Sequence, residues 1–280
     1  MTARLSPAPR PGLKGRLRLV CALDDAGRSH LREQAFSVPF HLSKPFHEED
    51  VLVVNVVNPT AGLFSGDSLT SFVHVGAGAR LLVTAPSATR VHDTQGGFAQ
   101  ATQEFSAAAG ARLEILPELF IPHRGARYRQ RTKIRLEPGA ELSHLEMLAP
   151  GRVASGEIFA FEELDWNTRI WLGPRLIVRE RFKFSPHGPI FHALAAFSPQ
   201  AYLATFFFIT DRFTKNSPCW AELDSLSGDD LWIGFSQLVH GGWVVKILAR
   251  ESVALRKAVA AVRRSCHASA GWPVVLARKI

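Results

Sequence analysis

Gly78-Ala79-Arg80-Leu81, Gly110-Ala111-Arg112-Leu113 and Gly139-Ala140-Glu141-Leu142 repeat one short pattern, 32 and then 29 residues apart. Each copy follows a strand-like segment (Leu69–Val75, Gln100–Ala107 and Lys133–Leu136) and opens another. Glycine permits the tight turn that heads each copy, and the residues after it alternate as a strand does. A single strand–turn–strand unit cannot hide its apolar side, whereas stacked units share a continuous core. The pattern therefore predicts a mainly β fold: a layered, solenoid-like sheet architecture.

Working outward, Leu17, Leu19 and Cys21 alternate with Arg16, Arg18 and Val20. Val51–Val57 is a near-continuous apolar run and reads as a strand covered on both faces. Helical spacing is confined to the C-terminal part. Leu255, Ala258, Val259, Val262 and Cys266 form one stripe, Arg256, Lys257, Arg263 and Arg264 cover the other side, and Ser252 is the expected N-cap. A shorter helix is expected from Pro218 to Leu226, with a strand over Gly242–Ala249 between the two. Residues 1–15 read as a loose Pro- and Arg-rich tail and residues 16–280 as a single domain, with a wide turn or boundary near Ser185–Pro189.

The chain has 33 basic and 25 acidic side chains, a net charge of +8 that favours acidic partners. Cys21, Cys219 and Cys266 are odd in number and form no CxxC pair, which points away from a disulfide framework and toward a reducing compartment. The N-terminus lacks the apolar stretch of a signal peptide. The most apolar run, Ala193–Thr210, is broken by Ser198-Pro199-Gln200. A soluble, cytoplasmic protein is expected.

No catalytic signature stands out. Gly62-Leu63-Phe64-Ser65-Gly66-Asp67 is a glycine-bounded loop but lacks the GK[ST] ending of a phosphate loop, and Asp67 would repel a phosphate. There is no HExxH, no zinc-type cysteine spacing and no GxSxG elbow. His187 and His192 flank a Pro-Gly loop without forming a recognisable ligand pair. Two basic ribbons do stand out. Arg127, Arg129, Arg131, Lys133 and Arg135 occupy alternate positions and share one strand face, opposite Tyr128, Gln130, Thr132, Ile134 and Leu136. Arg175, Arg179, Arg181 and Lys183 form a similar set opposite Leu176, Val178, Phe182 and Phe184. Such faces are either solvated or docking surfaces for an acidic partner. Nucleic acid fits less well, because no aromatic residue interleaves with the cations along these strands.

Asn58-Pro59-Thr60-Ala61-Gly62-Leu63-Phe64-Ser65-Gly66-Asp67 resembles the Pro/Gly-rich signature of the UreD/UreH urease accessory family. Thr84–Arg90, Leu113–Glu118, Gly151-Arg152 with Gly156–Phe159, and Gly242–Leu248 are similar to later family segments in the same order. The resemblance implies a mostly β fold with two C-terminal helices and no enzymatic activity. It also implies partnership with UreF, UreG and the urease apoprotein. Nickel would pass from the GTPase UreG toward apo-urease, by way of an internal tunnel, with no permanently bound cofactor or metal. Carried over by motif, Asp67, Thr84, Glu146, Arg152 and Glu157 are the expected tunnel or interface residues, Arg152 and Glu157 also being candidates to pair with each other. Ser68, His92 and the ending Ala277–Ile280 depart from the family pattern. The alternative reading is a β-sheet interaction module that binds an acidic protein or nucleic acid through its basic strand faces.

Overall fold

The computed structural model describes residues 12–186 and 202–275. The chain begins with β1 (Lys14–Leu23), β2 (Ser29–Phe36), β3 (His41–Leu42), β4 (Phe46–Glu48) and β5 (Val51–Val57). It continues through β6 (Ser68–Val75), β7 (Arg80–Thr84), β8 (Thr89–Val91), β9 (Ala99–Ala107) and β10 (Arg112–Leu116). Next come β11 (Phe120–Pro122), β12 (Arg127–Leu136), β13 (Glu141–Leu148), β14 (Glu163–Leu172) and β15 (Arg175–Phe184). The last part holds β16 (Tyr202–Ile209), α1 (Pro218–Ser225), β17 (Leu231–Gln237), β18 (Trp243–Ala249) and α2 (Ser252–Ala270).

Two sheets face each other. The first has seven strands in the order β15-β14-β12-β9-β6-β1-β2. The second runs β17-β18-β16-β13-β10-β7-β5-β3, with β4, β8 and β11 attached beside it. The chain crosses between the sheets again and again: β6, β9 and β12 belong to the first, and β7, β10 and β13 follow them in the second.

The repeated glycine pattern is the corner of this winding. Gly78, Gly110 and Gly139 have φ of +70°, +71° and +81°, a region open to glycine at little cost. The turn passes the chain to the opposite sheet, so successive copies stack in parallel. Leu113 lies in register with Leu81 on one side and with Leu142 on the other. Ala79, Ala111 and Ala140 beneath them are buried. The stack has the parallel, coil-upon-coil character of a β-solenoid.

Apolar side chains fill the space between the sheets, with Leu19, Val75, Leu113, Ile134 and Ile170 buried there. A second core joins β16 and β18 to the helices through Phe206, Phe208, Val245, Leu255, Val262 and Cys266. Both predicted helices form, but Glu251 occupies the N-cap position of α2 and Ser252 is its first helical residue. Burial raises the Tyr202 phenol, and the Ser252 hydroxyl near it offsets part of that rise. Val20 is also buried, contrary to the simple alternation, and the register of β1 against β2 shifts between Val20 and Cys21. β1 starts at Lys14, inside the expected tail. The apolar run Ala193–Thr210 is described only from residue 202, where it forms β16, and His187, His192 and Ala277–Ile280 lie outside the described residues. Of the turn near Ser185–Pro189, only Ser185 and Pro186 are described. Among the described residues no helix is long and apolar enough to cross a membrane.

Candidate functional site

β12 alternates cleanly: its arginines and Lys133 point away from the core, and Tyr128, Gln130 and Thr132 are buried beneath them. These inward polar groups bond to one another. The Tyr128 hydroxyl donates to Gln130 Oε1 (3.0 Å), and Gln130 Nε2 donates to Thr132 Oγ1 (3.3 Å). Thr132 Oγ1 in turn donates to Gln103 Oε1 on β9 (3.1 Å). Across the gap, His144 and Glu146 on β13 are two residues apart and so share a face.

Where this polar layer replaces apolar packing there is a cavity of about 340 Å³. Gln103, Gln130 and Trp166 wall it from the first sheet, and Thr84, His144 and Glu146 from the second. A second cavity of about 320 Å³ lies between β14–β15 and β16–β18, bordered by Thr168, Glu180, Trp232 and Lys246. Glu146, Met147 and Trp166 border both cavities.

Three carboxylates border these spaces, and their surroundings differ. Glu118 pairs with Arg256 (2.6 Å), and Glu180 pairs with Lys246. Glu146, at the shared wall, accepts a hydrogen bond from Thr168 Oγ1 (2.5 Å) and lies 3.3 Å from His144 Nε2. Among the described residues it has no Lys or Arg partner. The buried Tyr128 phenol is pushed up by desolvation and further by the Glu146 charge. A carboxylate without a basic partner, beside one imidazole, offers oxygen and nitrogen donors to a cation. Among the described residues, no group of three His, Cys, Asp or Glu converges to hold a metal ion.

Of the five motif-matched residues, Thr84 and Glu146 are thus brought together at one cavity. Thr84 Oγ1 donates to the Leu116 carbonyl (2.7 Å). Asp67, Arg152 and Glu157 line neither cavity. Asp67 is buried and folds the loop that carries the family-like signature. It accepts from the backbone N–H of Leu13 (2.8 Å) and of Phe64 (2.7 Å). The front of that loop, Asn58, Thr60 and Gly62, borders the larger cavity. Arg152 Nε and Nη2 both donate to Glu157, at 2.9 and 2.5 Å, and the Arg124 N–H adds a third bond (3.1 Å). The Arg152 hydrogen bond, with help from Arg124, lowers the Glu157 carboxyl from 4.5 to about 2. This pair fixes the 152–157 turn.

Sequence reading missed Gln103, His144, Trp166 and Thr168 as cavity residues. A usable signal was present in Gln130 and Thr132, polar residues on the inward face of a strand whose outer face was already charged.

The basic ribbons lie on the outer face of the first sheet. Arg129, Arg131, Lys133, Arg135, Arg179, Arg181 and Lys183 are exposed. Two expectations about them fail. Leu176 is exposed at 38%, because a bulge opposite Ile170 and Trp171 turns Ile177 and Val178 toward the core. Aromatic rings do interleave with the cations: Phe72 lies under Arg18, Phe98 under Arg129 and Trp171 under Arg135. They come from neighbouring strands and adjacent loops, out of sight of a reading along a single strand.

A family model described as UreD urease accessory protein matches residues 13–278. A urease accessory protein UreD of Opitutus terrae is 40% identical over 89% of this chain and 92% of its own length. A UreD of Acetivibrio thermocellus is 28% identical over 90% and 97%. A urease accessory protein UreH of Helicobacter hepaticus is 25% identical over 81% and 88%.

Proposed function

Because the chain belongs to the UreD family of urease accessory proteins, we propose that it serves urease maturation as a non-catalytic scaffold through which nickel reaches the apoprotein. In this reading it acts in the cytoplasm, bridges UreF and UreG to the urease apoprotein, and holds no cofactor of its own. Nickel is cargo in transit.

The observation that carries the reading is Glu146. It stands where the two cavities share a wall, and it lacks the basic partner that neutralises Glu118 and Glu180. A cation crossing between the sheets would meet one uncompensated carboxylate midway, with polar Gln and Thr side chains around it. Few ligands at one point attract a hydrated divalent ion without trapping it. The glycine-bounded loop at Gly62–Asp67 has a cavity-bordering and structural role in this account, and nucleotide hydrolysis falls to UreG.

The test is co-expression of the urease subunits and remaining accessory proteins with and without this chain at limiting nickel. The proposal expects urease lacking most of its nickel when the chain is absent. Fully metallated urease without it would reject the proposal.

A further inference from the structure

The outer face of the first sheet is uncovered among the described residues, since α1 and α2 both pack against the second sheet. Parallel sheets usually have both faces covered. Here β1, β6, β9, β12 and β14 run parallel, and the outward residues of β12 are largely exposed.

Strand register turns the ribbons read along the chain into a two-dimensional array. Arg131 pairs in register with Thr102 on one side and Asn167 on the other. Thr102 continues to Thr70 and Arg16, and Asn167 to Arg181. This row crosses six strands without a carboxylate of its own. Four cations of the face are neutralised from neighbouring rows: Arg18 by Glu33, Arg127 by Glu162, Lys133 by Glu104, and Arg181, at the end of this row, by Asp165. Arg129, Arg131, Arg135 and Arg179 have no carboxylate within 4.0 Å among the described residues. Two of these are nevertheless held in place, with Arg129 stacked 3.5 Å above Phe98 and Arg135 4.7 Å above Trp171. A stacked guanidinium keeps its charge and its in-plane donors while losing little entropy on binding.

We propose that this face docks an acidic protein surface, with Arg129, Arg131, Arg135 and Arg179 receiving its carboxylates. Uncompensated, partly immobilised guanidiniums suit bidentate carboxylate recognition. Single-stranded nucleic acid suits the face less, because the Phe98 and Trp171 rings that bases would stack on are already capped by arginine. The choice of occupant rests on the functional reading above: the acidic surface belongs to a protein of the urease maturation set.

The experiment compares the wild-type chain with Arg129→Glu/Arg131→Glu and with the milder Arg131→Gln/Arg135→Gln. Affinity is measured for purified apo-urease, for UreF with UreG, and for a twenty-nucleotide oligothymidylate, at low and moderate salt. Melting curves accompany each variant. The inference expects the reversal to weaken one protein partner by about tenfold or more, the neutral variant to weaken it less, and both to flatten the salt dependence. It is overturned if both variants keep wild-type affinity for every protein partner, or if oligothymidylate alone is bound in a face-dependent way. If wild-type chain binds none of the urease proteins, the functional reading falls together with the inference; protein binding indifferent to the substitutions removes the inference alone.

Discussion

Arg263 on α2 donates two hydrogen bonds, 2.6 and 2.9 Å long, to the carboxylate of Glu114 on β10, 149 residues earlier in the chain. Both side chains are buried. Arg263 also donates to the Val275 carbonyl (2.8 Å), and His267 sits 3.4 Å from the same carboxylate. This buried network fastens the last helix to the parallel stack. Removing one partner strands the other in a dry site, a loss of about 3–5 kcal/mol. Arg263→Met is therefore expected to lower stability in urea by that amount. Glu114→Leu combined with Arg263→Met should recover part of it, since no lone charge remains.

The same pair sets an acid limit. Burial alone would raise the Glu114 carboxyl, but the hydrogen bonds from Arg263 and the nearness of His267 outweigh it and bring it from 4.5 to about 2. A depressed carboxylate contributes stability that is complete above its unfolded value and is lost as pH falls. Melting temperature measured from pH 6 downward should begin to fall near 4.5 and keep falling toward about 2. The slope should be shallower in Glu114→Gln.

The corner Gly110 and the loop Gly151, both at positive φ, are expected to differ in tolerance. A Cβ at Gly110 would meet nothing nearer than 3.8 Å, so Gly110→Ala costs only the left-handed backbone, about 1–2 kcal/mol. A Cβ at Gly151 would sit 2.3 Å from the Glu157 carbonyl oxygen. Gly151→Ala must displace the 152–157 turn and should destabilise more. Denaturant titration of both variants checks the order.

Arg152→Ala should free that turn without unfolding the sheets. The Glu157 titration midpoint, followed by carboxyl NMR, is expected to rise from about 2 toward an ordinary 4.5. It should stop short of it, because the Arg124 N–H bond remains. Protease cleavage within residues 152–157 should quicken. An unmoved midpoint would show that Arg152 is not the group that holds this carboxylate.

Much of this architecture could be read from the chain alone. The spacing of Gly78, Gly110 and Gly139 reports a local requirement, a left-handed corner, and local requirements leave marks in sequence. So does the stripe from Leu255 to Cys266. The pairing of Arg152 with Glu157 across five residues was likewise within reach. What escaped was long-range: Glu114 with Arg263, Arg135 above Trp171, and Glu146 meeting Thr168 from another strand. Sequence periodicity says which face a side chain takes, but register between sheets decides whom it meets. For Asp67 the sequence also left its partners unread: its two backbone bonds, to Leu13 and Phe64, brace a loop beside the cavity.

Glu146→Gln tests the central idea most directly, because glutamine can still accept from Thr168 and keeps the cavity wall while removing the charge. The measurement is nickel bound per urease active site after maturation with the variant at limiting nickel, alongside its affinity for apo-urease. The account predicts unchanged affinity and a nickel loading rate lower by about tenfold, equivalent to about 1.4 kcal/mol at the barrier. Wild-type loading by a folded, fully binding Glu146→Gln chain would contradict it.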